Sequence, residues 1–332
     1  MRHGAPPRSV LVPLDGSWRS ESALVPAVPL ALRTGAQLVL LTTQWSASEM
    51  STSRQYLEGR RADLRAGRIG GVAVADCDLE VVVDRDAQHA IVAAGSNPGT
   101  LVCMATHGHG GVVRGVLGSV SEAVVRSGAA PVLLVGPGLD QGWVLPDEPE
   151  LIVALDGSPA AREAVPAAIA LARAVGGRLR IVHVPTPGDV STEAAYPEPA
   201  GVMLDRVLAT CRSQGVAATA AVLDGFDPAA VLAEDAARRN AAFMVAATHG
   251  RTGLARIALG SVVQRLVRRA ACPVLVVRPT VLRTDSESEE RAGPGSSRRA
   301  GAGATGGEED PDARRGWRRD RGRPQPSGSA PA

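Results

Sequence analysis

The sequence predicts an α/β protein with two tandem domains, each built on a five-stranded parallel sheet flanked by helices, paired about a pseudo-two-fold axis. Short, continuously apolar segments alternate with helical segments, which is typical of parallel strands covered on both faces. Residues 10–17 recur as 151–158, and a glycine motif at 105–120 recurs 142 residues later at 247–262. A chain of 332 residues is also long enough to bury two cores.

The elements of the first copy follow from apolar runs and the turn residues that flank them. Pro26 and Pro29 interrupt the first helix, so a kink or a shortened helix is expected, and Gly35 is a C-cap candidate. Asp86 can cap the third helix. The predicted strands are 10–14, 38–42, 79–83, 101–104 and 131–135, and the predicted helices are 17–33, 53–65, 86–94 and 119–126.

The second copy repeats this order of elements. Asp227 followed by Pro228 marks a helix start, and Gly176 marks the end of the first helix of this copy. The edge strands 131–135 and 273–277 would expose unpaired backbone groups, so we expect the copies to pack together through them. The predicted strands are 151–155, 179–184, 218–223, 243–246 and 273–277.

Changes in composition divide the chain into four parts. The first domain is expected at 1–137, a Pro- and Gly-containing linker at 138–148, and the second domain at 149–280. Residues 281–332 are rich in Gly, Ser, Pro, Arg and acidic residues and have too little apolar surface to fold, so a disordered tail is predicted. Its mixed charges are expected to stay solvated.

Composition also excludes several classes of function. Aromatic residues make up 2% of the chain and the formal net charge is +2, which argues against nucleic acid as a partner. There is no Lys, which excludes a phosphate loop ending in Gly-Lys-Ser/Thr. The four dispersed cysteines form no C-x-x-C pair, which argues against zinc and disulfides. Without a signal-peptide core or a membrane-length apolar run, a soluble cytoplasmic protein with no membrane partner is expected.

The recurring glycine motif carries the main functional hypothesis. Ala-Thr-His-Gly, nine residues and Gly-Ser-Val stand between a buried strand and a helix start in both copies. Glycine lets backbone N–H groups approach an anion, and a helix N-terminus offers unpaired donors. Asp15 and Asp156 follow the first strand of each copy, at the sheet edge where ligands of such folds bind. These residues predict a nucleotide site in each copy.

The same residues resemble the universal stress protein family, and more closely its two-domain members. The matching features are the strand-end aspartates, the second strands ending Leu41-Thr42-Thr43 and Val182-His183-Val184, the glycine motifs, and the final Pro-Val-Leu-Leu-Val and Pro-Val-Leu-Val-Val. The resemblance covers about 8–137 and 149–280. It implies Rossmann-like domains that bind ATP, with AMP or ADP as alternatives and Mg²⁺ present only through the nucleotide.

The resemblance also implies roles for particular residues. Strand-end groups would contact adenine, alanines would lie against the ribose, and the glycine-serine bends would hold phosphates. Ser121 would add a second hydroxyl that Val263 lacks in the second copy, a difference of about 0.5–1.5 kcal/mol. Arg114 and Arg256 are candidates for phosphate or partner contacts. The implied binding residues are Pro13, Asp15, Thr43, Ala105, Gly108, Gly118, Ser119, Val120 and Ser121, and Ala154, Asp156, Val184, Ala247, Gly250, Gly260, Ser261 and Val262.

The motif departs from the family pattern at its first position. ATP-binding members begin it with glycine, whereas this chain has Ala105 and Ala247. The extra methyl group would either tolerate the nucleotide or crowd its ribose, and alanine disfavours left-handed backbone angles. We expect a modest reduction in affinity.

Each functional interpretation has a simpler rival. The aspartates could cap the turns that follow them, and the Gly-Ser step could be an ordinary N-cap formed by Ser119 or Ser261. His107 and His249 are expected to hydrogen-bond loop backbone, with catalysis a minor alternative.

The leading hypothesis is a regulatory adenine-nucleotide-binding protein of the stress response, with an unidentified protein partner and a homodimer as a further option. An interaction scaffold with vestigial sites stays open, favoured by Ala105, Ala247 and Val263. A slow ATPase also stays open, although no paired carboxylates or nucleophile–base pair stand out. We therefore assign no catalytic residue and no metal site, and expect no efficient enzyme.

Overall fold

A computed structural model describes residues 5–75, 77–106, 117–128, 130–140, 142–185, 199–248 and 259–279. Both copies lie within one compact unit, Met1–Arg283. The tail predicted at 281–332 lies outside the described residues. Within the described part of the chain, no helix combines the length and the apolar character that a membrane crossing requires.

The elements follow the predicted order in both copies. The first copy contains β1 (Ser9–Pro13), α1 (Trp18–Glu21), α2 (Leu24–Thr34), β2 (Gln37–Gln44), α3 (Met50–Arg65), β3 (Asp78–Val83), α4 (Ala87–Gly95), β4 (Thr100–Ala105), α5 (Ser119–Ser127) and β5 (Val132–Val135). The second contains β6 (Glu150–Leu155), α6 (Pro159–Arg162), α7 (Ala164–Val175), β7 (Arg178–His183), α8 (Ala200–Ser213), β8 (Ala218–Val222), α9 (Pro228–Arg238), β9 (Phe243–Ala247), α10 (Ser261–Arg269) and β10 (Val274–Val277).

The described strands form one continuous sheet in the order β3-β2-β1-β4-β5-β10-β9-β6-β7-β8. Neighbouring strands are parallel within each copy, whereas β5 and β10 pair antiparallel. In that central pair, Leu133 lies opposite Leu275 and Val132 opposite Val276. The α/β fold is confirmed, with five parallel strands from each copy joined into one sheet, as is the pairing of the copies through these two strands.

The antiparallel junction separates the two predicted sites. The strands of one copy run antiparallel to those of the other. The carboxyl ends of β1–β5 therefore lie along one side of the sheet, and those of β6–β10 lie along the opposite side, at the other end of the strands. Ligands of parallel α/β sheets bind at carboxyl ends. Two sites in this protein would therefore lie at opposite edges.

The helix predicted over 17–33 is two helices. α1 ends at Glu21 and α2 begins at Leu24. Pro26 has no N–H to donate to the carbonyl of Ser22, so the helical hydrogen-bond ladder breaks one turn before the proline. Gly35 ends α2 in a left-handed conformation, with φ 67°. The predicted shortening and C-cap are confirmed, with the break lying before Pro26, whereas α2 continues through Pro29, so the interruption predicted there is wrong.

The linker packs through Trp143, and the two copies also meet through Arg33. The Trp143 ring meets Phe243 edge-on with centroids 5.7 Å apart, and its Nε1 donates to the carbonyl of Ala242 at 3.2 Å. Arg33, in the last turn of α2, donates to the carbonyl of Val175 at the end of α7, at 3.1 Å, and to two linker carbonyls. The first long helices of the two copies are therefore joined directly and through the linker.

Candidate functional site

The first aspartate closes the turn after β1. Ser17 donates its backbone N–H and its hydroxyl to Asp15 Oδ1, at 3.0 and 2.6 Å. Ser17 Oγ accepts the N–H of Ser20 at 3.1 Å and so caps α1. Gly16 has φ 82°, a conformation that glycine adopts without strain. The Asp15 carboxylate thus fixes the turn, as the simpler interpretation expected, and is exposed at the carboxyl edge of the sheet.

The second copy builds the same turn after β6. Asp156 Oδ1 accepts the N–H of Ser158 at 2.9 Å, and Gly157 has φ 86°. Ser158 Oγ accepts the N–H of Ala161 at 3.0 Å and caps α6. Asp156 is half-buried, whereas Asp15 is exposed. The hydrogen bonds from Ser17 and Ser158 leave both carboxylates at the carboxyl ends of the strands. Both aspartates therefore remain candidates for ligand contact.

The glycine-serine bend of the first copy is tied to the end of β4. The N–H of Thr106, directly after β4, donates to the carbonyl of Val135 at 3.0 Å. The carbonyl of Thr106 accepts the N–H of Gly118 at 2.7 Å. Since β4 pairs with β1, this bend and the Asp15 turn follow neighbouring strands at one edge of the sheet.

The second copy repeats both hydrogen bonds. Thr248 donates its N–H to the carbonyl of Val277 at 2.9 Å, and its own carbonyl accepts the N–H of Gly260 at 2.8 Å. Because β9 pairs with β6, this bend also follows a strand next to the strand of its aspartate. Within each copy, the structure therefore brings the predicted aspartate and the predicted bend to neighbouring strand ends.

Each bend leads into a helix whose N-cap residue has no side chain. Gly118 and Gly260 are the N-caps of α5 and α10, so the cap residue itself supplies no side-chain oxygen to either first turn. Ser119 and Ser261 are the first helical residues and are exposed, so the alternative in which these serines are the N-caps is wrong. The N–H groups of a first turn have no acceptor within the helix. An anion can complete this arrangement.

Ser121 does not have the role that the resemblance implied. It is 2% exposed, and its hydroxyl lies 2.8 Å from the carbonyl oxygen of Gly118 and 3.1 Å from that of Thr106. The single hydroxyl proton is therefore donated inside the bend, because the third residue of α5 turns towards β4. Val263, its counterpart, is also buried. The expected phosphate-binding hydroxyl is corrected to a brace that holds the bend.

Ser121→Ala is expected to lower the free energy of unfolding by about 0.5–1.5 kcal/mol, the usual contribution of one hydrogen bond. Ser119→Ala is the matched control, because Ser119 lies two residues earlier on the same helix with an exposed side chain. It should change stability by less than about 0.5 kcal/mol. Urea unfolding followed by circular dichroism measures both values, and equal losses in the two variants would contradict the brace.

The residues implied to contact adenine lie at the carboxyl ends of the strands beside the aspartate turns. Pro13 is buried at the end of β1, and Thr43 is half-buried near the end of β2. In the second copy Ala154 is half-buried near the end of β6, and Val184 is buried directly after β7. β7 ends at His183, one residue before the predicted end.

His183 is a difference between the copies whose role was missed by sequence reasoning. Its ring is buried, and Nδ1 lies 2.9 Å from the carbonyl oxygen of Leu155, the last residue of β6. The first copy has Thr42, also buried, in this position. A histidine inside an apolar strand was the available signal.

Two tryptophans at the edge of the first copy were also missed. Trp18 begins α1, three residues after Asp15, and Trp45 directly follows β2, two residues after Thr43. Their exposed fractions are 72% and 75%. The chain has four tryptophans, and two of them closely follow a predicted strand or the turn after it. That placement was the signal in the sequence. Both rings can report events at this edge through their fluorescence.

The start of α10 also differs from that of α5 in charge. Arg265 Nε donates to the carbonyl of Ser261 at 3.3 Å, and Arg265 and Arg269 both contact the Asp227 carboxylate, at 3.3 and 2.5 Å. Asp227 caps α9, and the hydrogen bond from Arg269 lowers the pKa of its carboxyl group. The first copy has Ala123 in place of Arg265. The second copy therefore holds a guanidinium group beside its helix start.

Among the residues that the structure describes, no group of three or more His, Cys, Asp or Glu side chains could hold a metal ion. The predicted residues that lie outside the described ranges are Gly108, Gly250, His107, His249, Arg114 and Arg256.

Comparison with known proteins identifies the family. The family profile described as "Universal stress protein family" matches residues 7–136 and 150–278, once in each copy. The chain belongs to the universal stress protein family. It is a tandem member, because the two matches follow one another along the chain.

Relatives and solved structures agree with this assignment. Universal stress protein Rv2005c of Mycobacterium tuberculosis is 30% identical over 192 residues, which is 55% of this chain and 63% of that relative, so this chain spans less than two thirds of its length. A universal stress protein of Mycolicibacterium smegmatis is 27% identical over 292 residues, covering 81% of this chain and 97% of the relative. A universal stress protein structure from Archaeoglobus fulgidus has a TM-score of 0.57 at 21% identity, covering 84% of this chain and 99% of that one, and supports the fold.

Proposed function

We propose that this universal stress protein is a regulatory protein of the stress response that binds an adenine nucleotide without efficient catalysis. The observation that carries the proposal is the glycine-capped helix start, hydrogen-bonded back onto the end of its strand, that occurs in both copies. ATP is the first candidate ligand, with AMP and ADP as alternatives, and Mg²⁺ would arrive with the nucleotide.

The chemistry of the bend suits a phosphate group. The bonds of Gly118 to Thr106 and of Gly260 to Thr248 hold each helix start in place before a ligand arrives. Phosphate oxygens would accept hydrogen bonds from the first-turn N–H groups and would interact favourably with the positive end of the helix dipole. Asp15 and Asp156, on the neighbouring strand ends, are acceptors for the donor groups of the base.

Ser119→Glu is expected to weaken ATP binding at the first copy by about tenfold or more, because it places a carboxylate where the phosphate would bind. The fold should be kept, since an acidic residue in the first turn of a helix is stabilising. Isothermal titration measures affinity and stoichiometry, and quenching of Trp18 and Trp45 reports the first copy. Ser119→Gln is the uncharged control: it removes the Ser119 hydroxyl without adding a charge, so it should weaken ATP binding much less than Ser119→Glu does.

Ser261→Glu is the corresponding variant of the second copy, and it should reduce the stoichiometry without removing the tryptophan signal. Wild-type protein that takes up no nucleotide at millimolar concentration would refute the proposal. Equal ATP affinities of Ser119→Glu and Ser119→Gln would mean that the phosphate does not bind at the start of α5.

An interaction scaffold with vestigial sites is the second candidate. It is favoured by the buried hydroxyl of Ser121 and by the buried Val263, which leave no hydroxyl from the third helical residue for a phosphate. A protein partner captured equally well by the wild type and by the Ser119→Glu/Ser261→Glu variant, in the absence of nucleotide binding, would favour this function.

A further inference from the structure

The outer edge of β8 presents backbone groups that pair with no other strand among the residues that the structure describes. β8 is the last strand of the sheet on the side of the second copy. Its ladder with β7 uses the carbonyl of Ala217 and the N–H of Leu223. Since backbone groups alternate between the two sides of a strand, those of Ala218, Ala220 and Val222 point away from β7. Such a row of groups is a template for another strand.

The opposite outer edge, β3, carries charges that β8 lacks. β3 has Asp78 and Glu80, and the corresponding residues of β8 are Thr219 and Ala221, each 141 residues later. Residues 216–223 contain no charged side chain. Charged side chains on an edge strand oppose pairing with another chain. The first copy therefore protects its outer edge, and the second copy does not.

Phe226 adds exposed apolar surface just beyond β8. It directly precedes Asp227, the N-cap of α9, and a residue at this position commonly packs against the fourth helical residue, here Val231. In this protein Gly225 packs against Val231 in its place: a Cβ built on Gly225 would lie 2.4 Å from Val231 Cγ2. The Phe226 side chain is 95% exposed, and the first copy has Arg85 there.

We propose that β8 pairs antiparallel with β8 of a second copy of this chain, to form a symmetric dimer. A two-fold axis at Ala220 would set Ala218 opposite Val222 and allow about six N–H···O=C bonds between the strands. Thr219 would then lie opposite Ala221, with no charge on either side. The corresponding pairing of β3 would set Asp78 against Glu80, which is repulsive.

A second copy suits this edge better than a charged partner does. The edge is uncharged, so it offers no electrostatic attraction to a charged peptide but does not repel itself. The chain already joins two of its strands, β5 and β10, by antiparallel pairing of uncharged edges.

The test introduces the charges of β3 at the corresponding positions of β8. The full chain is studied by sedimentation velocity from about 1 to 200 µM, where the wild type should show a concentration-dependent dimer. Thr219→Asp/Ala221→Glu should stay monomeric over this range, because the new carboxylates would face each other across the axis. Glu80→Lys changes charge at the position that corresponds to Ala221 and should leave the dimer unchanged.

Phe226→Ser is a second variant that avoids the strand itself, and it should raise the dimer dissociation constant by about threefold or more. Circular dichroism and thermal melting establish that each variant is folded. A monomeric wild type at all concentrations, or a dimer that survives in folded Thr219→Asp/Ala221→Glu, would overturn the proposal. Loss of the dimer in Glu80→Lys would overturn it as well.

Discussion

Gly136→Ala is expected to lower the free energy of unfolding by about 3 kcal/mol or more, at the upper end of overpacking effects. A Cβ at Gly136 would lie 1.8 Å from the carbonyl oxygen of Val267 and 2.9 Å from its carbonyl carbon. These are backbone atoms of α10, so they cannot move away without shifting the helix. Because Gly136 directly follows β5, the clash would lie where the two copies meet. Urea unfolding followed by circular dichroism measures the loss.

Gly201→Ala is the matched control for this variant. Gly201 is the second residue of α8, and a Cβ built on it would meet no atom within 4 Å. Replacing an unstrained helical glycine by alanine should stabilise the protein by about 0.4–1 kcal/mol. If Gly136→Ala were as stable as Gly201→Ala, the close packing of β5 against α10 would be wrong.

The central strands could be predicted because they are buried on both faces. Val153 in β6 and Val245 in β9 are completely buried, and such strands appear in sequence as unbroken apolar runs. The pairing of β5 with β10 could also be predicted, since these strands would otherwise be open edges of apolar sequence. Local sequence was sufficient for both inferences.

The direction of single polar side chains could not be predicted in the same way. The hydroxyl of Ser121 lies beside the carbonyl of Thr106, which is 15 residues away in sequence. Which side of α5 faces β4 is decided by tertiary packing, so the family resemblance implied a ligand role that the packing of Ser121 does not allow. The break before Pro26 was easier to predict, because the N–H that proline lacks would bond to the carbonyl four residues earlier in any α-helix.

Ion pairs between distant elements are another feature that sequence reasoning did not find. Asp235 on α9 accepts a hydrogen bond from Arg180 Nε on β7 at 2.9 Å, and 55 residues separate the two. The side chains are 5% and 14% exposed. Nothing local to either residue predicts its partner, because the contact depends on α9 crossing β7.

Asp235→Ala is expected to lower the free energy of unfolding by about 3–5 kcal/mol, because it leaves the charge of Arg180 buried without its partner. Arg238, which also contacts Asp235 at 3.3 Å, is 67% exposed and can turn towards solvent. The main loss should therefore come from Arg180, and urea unfolding measures it.

The first copy supplies the control for this pair. Val39 and Ala94, which correspond to Arg180 and Asp235, pack in one apolar cluster. Replacing a buried ion pair by apolar residues is often neutral or stabilising, so Arg180→Val/Asp235→Ala should lie within about 1 kcal/mol of the wild type or be more stable. If the double variant were as unstable as Asp235→Ala, the stranded charge of Arg180 would not be the cause of the loss, and the carboxylate itself would stabilise α9.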